Sequence, residues 1–324
     1  NYLKDLEFAK NEVLTGDYEN LQLLFGDVAD TLSQLVRTSF IAKEGHTFAV
    51  ADFSAIEARV TAWLADETWR LKVFNSHGKI YEASAANMFG IPIETITKDS
   101  EYRVKGKVAE LALGYGGSMG ALIAMGGDKM GLSEAEMKDI VKRWRKASPA
   151  IPELWAALEK GAKECVQTGR AIEIRQKGIT FQLEEDWLTI LLPSGRKLFY
   201  REPQVRTKTV RREGLKNFET TVLSYMGLNE KSVWGRIDAW GGKWCENVVQ
   251  AIARDLLCET MLELDFRQFQ MVMHVHDEVV CEVPVSQAEE ALQTMCEVMS
   301  KEISWAPGLP LSADGYITQY YKKA

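Results

Sequence analysis

Cysteine is scarce in this chain: five residues, at 165, 245, 258, 281 and 296, in 324. The number is odd and no two form a CxxC pair. That argues against a disulfide framework and a thiolate zinc site, and leaves reduced thiols, as in a protein of the cytosol. Long apolar runs are missing too, and none approaches the roughly 20 residues that a membrane span needs. The opening Asn1-Tyr2-Leu3-Lys4-Asp5 has neither the pattern of a secretion signal nor an initiator Met, so a fragment or a processed product is expected. No internal repeat or low-complexity tract interrupts the chain. Positive charge is in the minority: 39 Lys and Arg stand against 46 Asp and Glu, a net charge of −7. As a total, that sign opposes a nucleic-acid partner, which favours basic surfaces. The distribution, however, is uneven.

What is present is ordinary globular material, 46% apolar and 26% charged. It excludes a disordered tail, a collagen-like fibre and a small disulfide scaffold. A chain of this length makes two domains or one large one and buries a sizeable core.

Residues 1–36 read as mostly helical. Thr47-Phe48-Ala49-Val50-Ala51 then reads as a buried strand that delivers Asp52 at its end. Helical spacing resumes over 54–74, 79–89, 100–116 and 152–168, and Ser133-Glu134-Ala135-Glu136 opens a further helix with a capping box. The period then changes. Residues 171–175, 179–183, 187–191 and 197–200 read as short strands, with Pro193-Ser194-Gly195 as a turn. Residues 196–216 are basic: Arg196, Lys197, Arg201, Arg206, Lys208, Arg211, Arg212 and Lys216 stand against only Glu202 and Glu213. A long helix over 243–264 precedes two apolar strands, 270–275 and 278–283, that flank His276-Asp277. Ser286 caps a last helix.

Three segments hold residues that suit chemistry. In Asp52-Phe53-Ser54-Ala55-Ile56-Glu57-Ala58-Arg59, a carboxylate ends a buried strand and a helix follows. Magnesium takes one or two such carboxylates together with substrate phosphates; the alternative is that Asp52 caps the helix. In His274-Val275-His276-Asp277-Glu278, two adjacent carboxylates at an apolar hairpin tip are costly to desolvate without a cation; the alternative is a solvated turn. The two histidines fall on one strand face, but a third zinc ligand is missing. In the helix from Arg103 to Gly116, positions 103, 107, 111 and 115 form one stripe of two cations, an apolar residue and a ring. That order suits a nucleotide, with phosphates at the cations and a base at the ring; the alternative is a solvated cationic face. Two strand-end carboxylates with a phosphate-facing helix between them make the parts list of two-metal phosphoryl transfer.

These segments resemble family A DNA polymerases of the bacterial DNA polymerase I and bacteriophage type. Asp52 to Arg59 resembles motif A, Arg103 to Gly116 resembles motif B, and His276-Asp277-Glu278 resembles motif C. Arg37-Thr38-Ser39-Phe40-Ile41-Ala42 and the stretch Met88 to Thr97 precede motifs A and B at the family's spacing. Asn247-Val248-Val249-Gln250-Ala251 resembles the glutamine-bearing helix before motif C. The resemblance covers roughly residues 33–283.

It implies template-directed DNA synthesis from dNTPs on a primer–template. Asp52 and Asp277 would hold two Mg2+ ions, replaceable by Mn2+, with the Phe53 carbonyl as a further ligand and Glu278 assisting. Arg103 and Lys107 would clamp the triphosphate, with Lys107 also serving catalysis, and Tyr81 and Leu111 would line the nucleotide. Glu57 would be the steric gate against a ribose 2′-hydroxyl. Tyr115, Gln250 and His276 would contact DNA. Two positions depart from the pattern: Leu111 stands where the family usually has Phe or Tyr, and Tyr81 where bacterial enzymes carry a phosphate-contacting His. The implied fold is α/β, a right-hand polymerase with an antiparallel palm sheet. The palm is expected from 1–65 and 241–324, and mainly helical fingers from 66–240. Only 51 residues precede Asp52, so the thumb and the exonuclease domain are expected to be absent. The expected setting is a monomer in the bacterial cytosol or a phage-infected cell. A single-subunit RNA polymerase, a non-catalytic nucleic-acid-binding remnant and a metal-dependent nuclease are the competing readings. Glu57, the retained carboxylates and the Arg103–Tyr115 stripe, in that order, speak against them.

Overall fold

Three short helices open the chain where one helical stretch is predicted: α1 (Leu6–Thr15), α2 (Tyr18–Phe25) and α3 (Val28–Leu35). Each starts at an aspartate, Asp5, Asp17 or Asp27, whose carboxylate accepts from a backbone N–H three residues on. Such caps satisfy donors that a first helical turn leaves over. In this computed structural model every residue is described except 1, 2, 4, 176, 213, 214, 230, 323 and 324, and for 210–212 and 215–218 the backbone alone. The first residues of the predicted 1–36 helical stretch, and from the basic run Glu213 and the side chains of Arg211, Arg212 and Lys216, therefore lie outside the described residues.

The predicted strand is β1 (His46–Phe53), buried along most of its length. The helix predicted over 54–74 is two, α4 (Ile56–Ala65) and α5 (Thr68–Phe74), because Asp66 adopts a left-handed conformation at φ 55° and breaks the ladder. Next come α6 (Ile80–Phe89) and α7 (Glu101–Leu113), then α8 (Met119–Ala124), α9 (Glu134–Ala147) and α10 (Ala150–Thr168). The predicted capping box opens α9: Ser133 and Glu136 each bond the other's backbone N–H.

Six strands follow: β2 (Ile172–Ile174), β3 (Ile179–Glu184), β4 (Trp187–Leu191), β5 (Lys197–Arg212), β6 (Leu215–Leu228) and β7 (Trp234–Ala239). The strand predicted to end at Tyr200 runs on to Arg212, and residues 217–242, over which no element is predicted, hold most of β6 and all of β7. Basic and small polar residues there hide the apolar alternation that would announce a strand. Then come α11 (Gly241–Phe266), β8 (Met271–Val275), β9 (Glu278–Pro284), α12 (Ala288–Met299) and β10 (Ala313–Thr318). Ser286 does not cap α12; it lies in a 3-10 turn, and Gln287 precedes the helix without a side-chain cap.

The chain divides into two compact units. Asn1–Ser54, Leu256–Lys301 and Leu311–Ala324 form the first, Ala55–Asp255 and Glu302–Pro310 the second. The first holds an antiparallel sheet in the order β10-β1-β9-β8. One face packs on α12. There a Cβ on Gly315 would lie 2.3 Å from the Val50 carbonyl oxygen and 2.5 Å from Leu292, so only glycine lets β10 pass. On the other face Phe48, Val50, Val280 and Tyr321 form a buried cluster with Tyr316 and Val275 beside it.

The second unit holds α4 to α10 and an antiparallel sheet in chain order from β2 to β7. α10 covers one face of that sheet, with Leu154, Leu158 and Cys165 buried. Trp244 of α11 completes this core, its ring 4.8 Å from Tyr200 and 5.9 Å from Phe181, both edge-on. Among the described residues no helix is long and apolar enough to cross a membrane.

Candidate active site

In the first unit the strand register gathers acid. Asp52 stands directly opposite Glu278 of β9 on one side and Asp314 of β10 on the other. Residues directly opposed in an antiparallel pair share a face, so three carboxylates form one row across three strands. Asp277 joins them at the hairpin turn, its carbonyl accepting from the Phe53 N–H at 3.3 Å. Like charges directly opposite one another destabilise a sheet, and here neighbours share the load. The Ser54 hydroxyl donates to Asp314 at 2.8 Å. The buried Tyr321 hydroxyl donates to Glu278, and the Arg37 guanidinium lies 5.7 Å above the Tyr321 ring. Burial, then the charges of Glu278 and Asp52, push the Tyr316 phenol up to about 12.

No group of three or more His, Cys, Asp or Glu side chains among the described residues converges on one ion position. The donors suit a hard cation that takes few protein ligands and completes its shell from phosphates and water, which is magnesium's habit. The predicted shared face of His274 and His276 is not formed. β8 ends at Val275, and His276 sits in the turn at φ 54°, exposed.

In the second unit α7 is anchored from below. Arg70 of α5, 1% exposed, makes a two-pronged ion pair with Glu110 at 2.5 and 2.8 Å and reaches the Ser148 hydroxyl at 3.0 Å. Trp144 of α9 donates to the same Glu110 at 2.8 Å. At the other end, a Cβ on Gly106 would lie 2.2 Å from the Tyr81 carbonyl oxygen, so α6 and α7 touch backbone to backbone. That contact sets Arg103 beside Glu82, at 2.7 Å, with its guanidinium 5.7 Å from the Tyr81 ring. Lys107 and Leu111 are exposed on the next two turns of α7.

Tyr115 leaves the predicted stripe. The helix predicted to 116 ends at Leu113, because the glycines after it fold the chain back: a Cβ on Gly117 would lie 2.0 Å from the Ala112 carbonyl oxygen. The Tyr115 hydroxyl instead donates to Glu57 Oε2 at 3.1 Å, and Gln250 donates to Glu57 Oε1 at 2.6 Å. Burial, then the Glu57 charge, pushes the Tyr115 phenol up and keeps it a donor. Gln250 rides on a braced stretch of α11. Asp255 accepts from Ser194 and Arg196, each at 2.5 Å, and Arg196 donates to the Ala251 carbonyl at 2.8 Å. Arg70, Glu110, Trp144, Tyr321 and Asp314 are not among the predicted site residues, and Asp314 lies in β10, where no strand is predicted.

The sequence profile of DNA polymerase family A matches residues 14–182, more than half of the chain. The chain belongs to DNA polymerase family A. The matched stretch contains Asp52, Glu57, Tyr81 and the whole of α7; Gln250 and 276–278 lie beyond it. Over its whole length the chain is 50% identical to the DNA polymerase of Bacillus phage SP02, and it spans 48% of that protein. It is 26% identical over 290 residues to the thermostable DNA polymerase I of Thermus aquaticus, covering 88% of this chain and 28% of that one. In fold it matches the polymerase domain of Pol1 from M. smegmatis, solved in complex with DNA primer-template and dNTP. The TM-score is 0.58 at 18% identity, over 89% of this chain and 42% of that one. The α/β class expected from the sequence, antiparallel sheet with helices, is the polymerase-domain fold of this family.

Proposed function

We propose that this family A chain carries out template-directed DNA synthesis, moving a nucleotidyl group from a dNTP to a primer 3′-hydroxyl with loss of pyrophosphate. The observation that carries the reading is the register that lines Asp52 up with Glu278 and brings Asp277 to the same strand ends.

Asp52 and Asp277, with the Phe53 carbonyl, are the residues that would hold two magnesium ions, for which manganese substitutes. Ions held there would lower the pKa of the primer hydroxyl and offset charge on the transferring phosphoryl group. Glu278, held by Tyr321, assists by keeping the row's field negative. Arg103 and Lys107 grip the triphosphate, and Lys107 stays over it as charge moves to the leaving pyrophosphate. Arg103 must exchange Glu82 for phosphate to do so. Tyr81 and Leu111 line the nucleotide. Glu57 crowds out a 2′-hydroxyl, which favours DNA over RNA synthesis. Tyr115 lies by the templating base, and Gln250 and His276 touch the duplex.

On this reading residues 1–65 and 241–324 act as palm and 66–240 as fingers. The protein works as a monomer on primer–template DNA, in the bacterial cytosol or a phage-infected cell.

The test is primer extension by the whole protein with magnesium, with manganese and with EDTA, beside Asp52→Asn and Asp277→Asn. Extension should need the metal, and each variant should lose at least about a thousandfold in rate while unfolding at the same temperature. Variants that extend primers as the wild type does would remove these residues from the centre.

A further inference from the structure

The six-stranded sheet of the second unit has two faces, and the nucleotide residues use neither. α10 and Trp244 cover one, where Phe181, Leu188, Ile190, Tyr200 and Leu223 are buried. Residues that alternate with these point the other way. On that outer face Trp187 stands opposite Arg201, Arg201 opposite Met226, and Met226 opposite Arg236, one row across four strands. Phe199 flanks the row, its ring edge-on to Trp187 at 6.1 Å. Trp234 stands opposite Leu228 at the far side. Trp187 is 38% exposed, Phe199 57% and Trp234 55%. Arg206 and Lys208 continue the same face along β5.

Charge on this face runs against that of the chain. Lys197, Arg201, Arg206, Lys208 and Arg236 meet four carboxylates: Glu173, in one row with Lys197 by strand register, and Glu184, Glu202 and Asp238, held in ion pairs with these cations. The face is thus net positive in a chain of net charge −7. Rings open to solvent between cations match one ligand chemistry: unpaired nucleotides, whose bases stack on the rings while their phosphates meet the cations. A duplex keeps its base faces stacked inside itself and would leave the rings unused. A polymerase meets unpaired nucleotides in the template ahead of the copied region.

We infer that the outer face of the β2–β7 sheet binds single-stranded DNA, the unpaired template. The inference rests on the polymerase reading above. Trp187, Phe199 and Trp234 are its stacking positions, and Arg201, Arg206 and Lys208 its phosphate contacts.

The experiment places 5-iododeoxyuridine in the unpaired template of primer–templates bound to the whole protein, and maps the photo-adducts. They should fall on Trp187, Phe199 or Trp234. A Trp187→Ala, Phe199→Ala, Trp234→Ala variant should bind a template with a 12-nucleotide overhang about tenfold more weakly, the effect of roughly one lost stack. It should bind and extend a template with a one-nucleotide overhang unchanged. A second variant, Arg201→Gln, Arg206→Gln, Lys208→Gln, spares the rings; it should lower the salt slope of overhang binding by about 2. Wild type that extends primers while its adducts map elsewhere, or a ring variant that binds both templates as wild type does, overturns the inference and spares the polymerase reading. Overhang cross-links with no extension under any metal do the reverse. A ring variant that keeps overhang affinity but turns a dimer into a monomer in sedimentation assigns the face to a second copy and also overturns the inference.

Discussion

The Tyr115 hydroxyl donates a 3.1 Å hydrogen bond to Glu57 Oε2. The amide of Gln250 takes the other oxygen at 2.6 Å, so an exposed carboxylate at the start of α4 is held by both its oxygens. On the proposed reading Glu57 excludes a 2′-hydroxyl by bulk and must not swing away; these two bonds restrain it.

Glu57→Ala should therefore raise ribonucleotide incorporation by more than Tyr115→Phe does. The phenylalanine removes one hydrogen bond to a charged group, worth about 1.5–3 kcal/mol, and leaves Gln250 in place. Competition between each rNTP and its dNTP in single-nucleotide addition reads both. An unchanged ratio for Glu57→Ala would take that residue out of the gate.

Arg70→Ala leaves the buried Glu110 carboxylate with the Trp144 N–H alone. Breaking a buried pair by removing one partner costs about 3–5 kcal/mol. Urea unfolding should report a loss of that size. Arg70→Lys should recover little of it, because a lysine cannot reproduce the two-pronged contact.

Gly106→Ala forces a methyl group to within 2.2 Å of the Tyr81 carbonyl oxygen, so α7 must move off α6. Overpacking of this kind costs about 1–3 kcal/mol. Arg103 and Lys107 move with the helix, and the KM for dNTPs should rise several-fold. An unchanged KM would show that these cations do not meet the nucleotide.

Burial pushes the thiols of Cys245 and Cys281 up to about 12, while Cys258 lies exposed. At pH 8 a thiol reagent should modify Cys258 quickly and the other two only on unfolding. A folded pKa raised above the unfolded value near 8.5 favours the neutral thiol in the native state. The stability it contributes is full below about pH 8.5 and is lost as pH climbs from there through about 12. Unfolding midpoints at pH 8 and pH 10.5 check the sign; a higher midpoint at pH 10.5 would contradict it.

Much of this was legible before the fold was known. β1, α6, α9, α10 and the β8–β9 hairpin carry strong local signals: apolar runs, a capping box, helical spacing, a charged turn. The misses have local causes as well. Asp66 breaks a helix by adopting a conformation its sequence does not advertise, and β6 and β7 lack the apolar alternation of half-buried strands.

From its residue types and their order along the chain alone, this protein declares its carboxylates, its cations and the strand ends and helix that carry them. Folding settles which of these meet. Glu57 joins Tyr115 across 58 residues and Gln250 across 193. Asp52 finds Glu278 and Asp314 only through strand register, and a slip of one residue would turn each side chain to the opposite face. Propensity and period act over a few residues, whereas these meetings depend on how sheets and helices pack, and no local stretch of sequence encodes that.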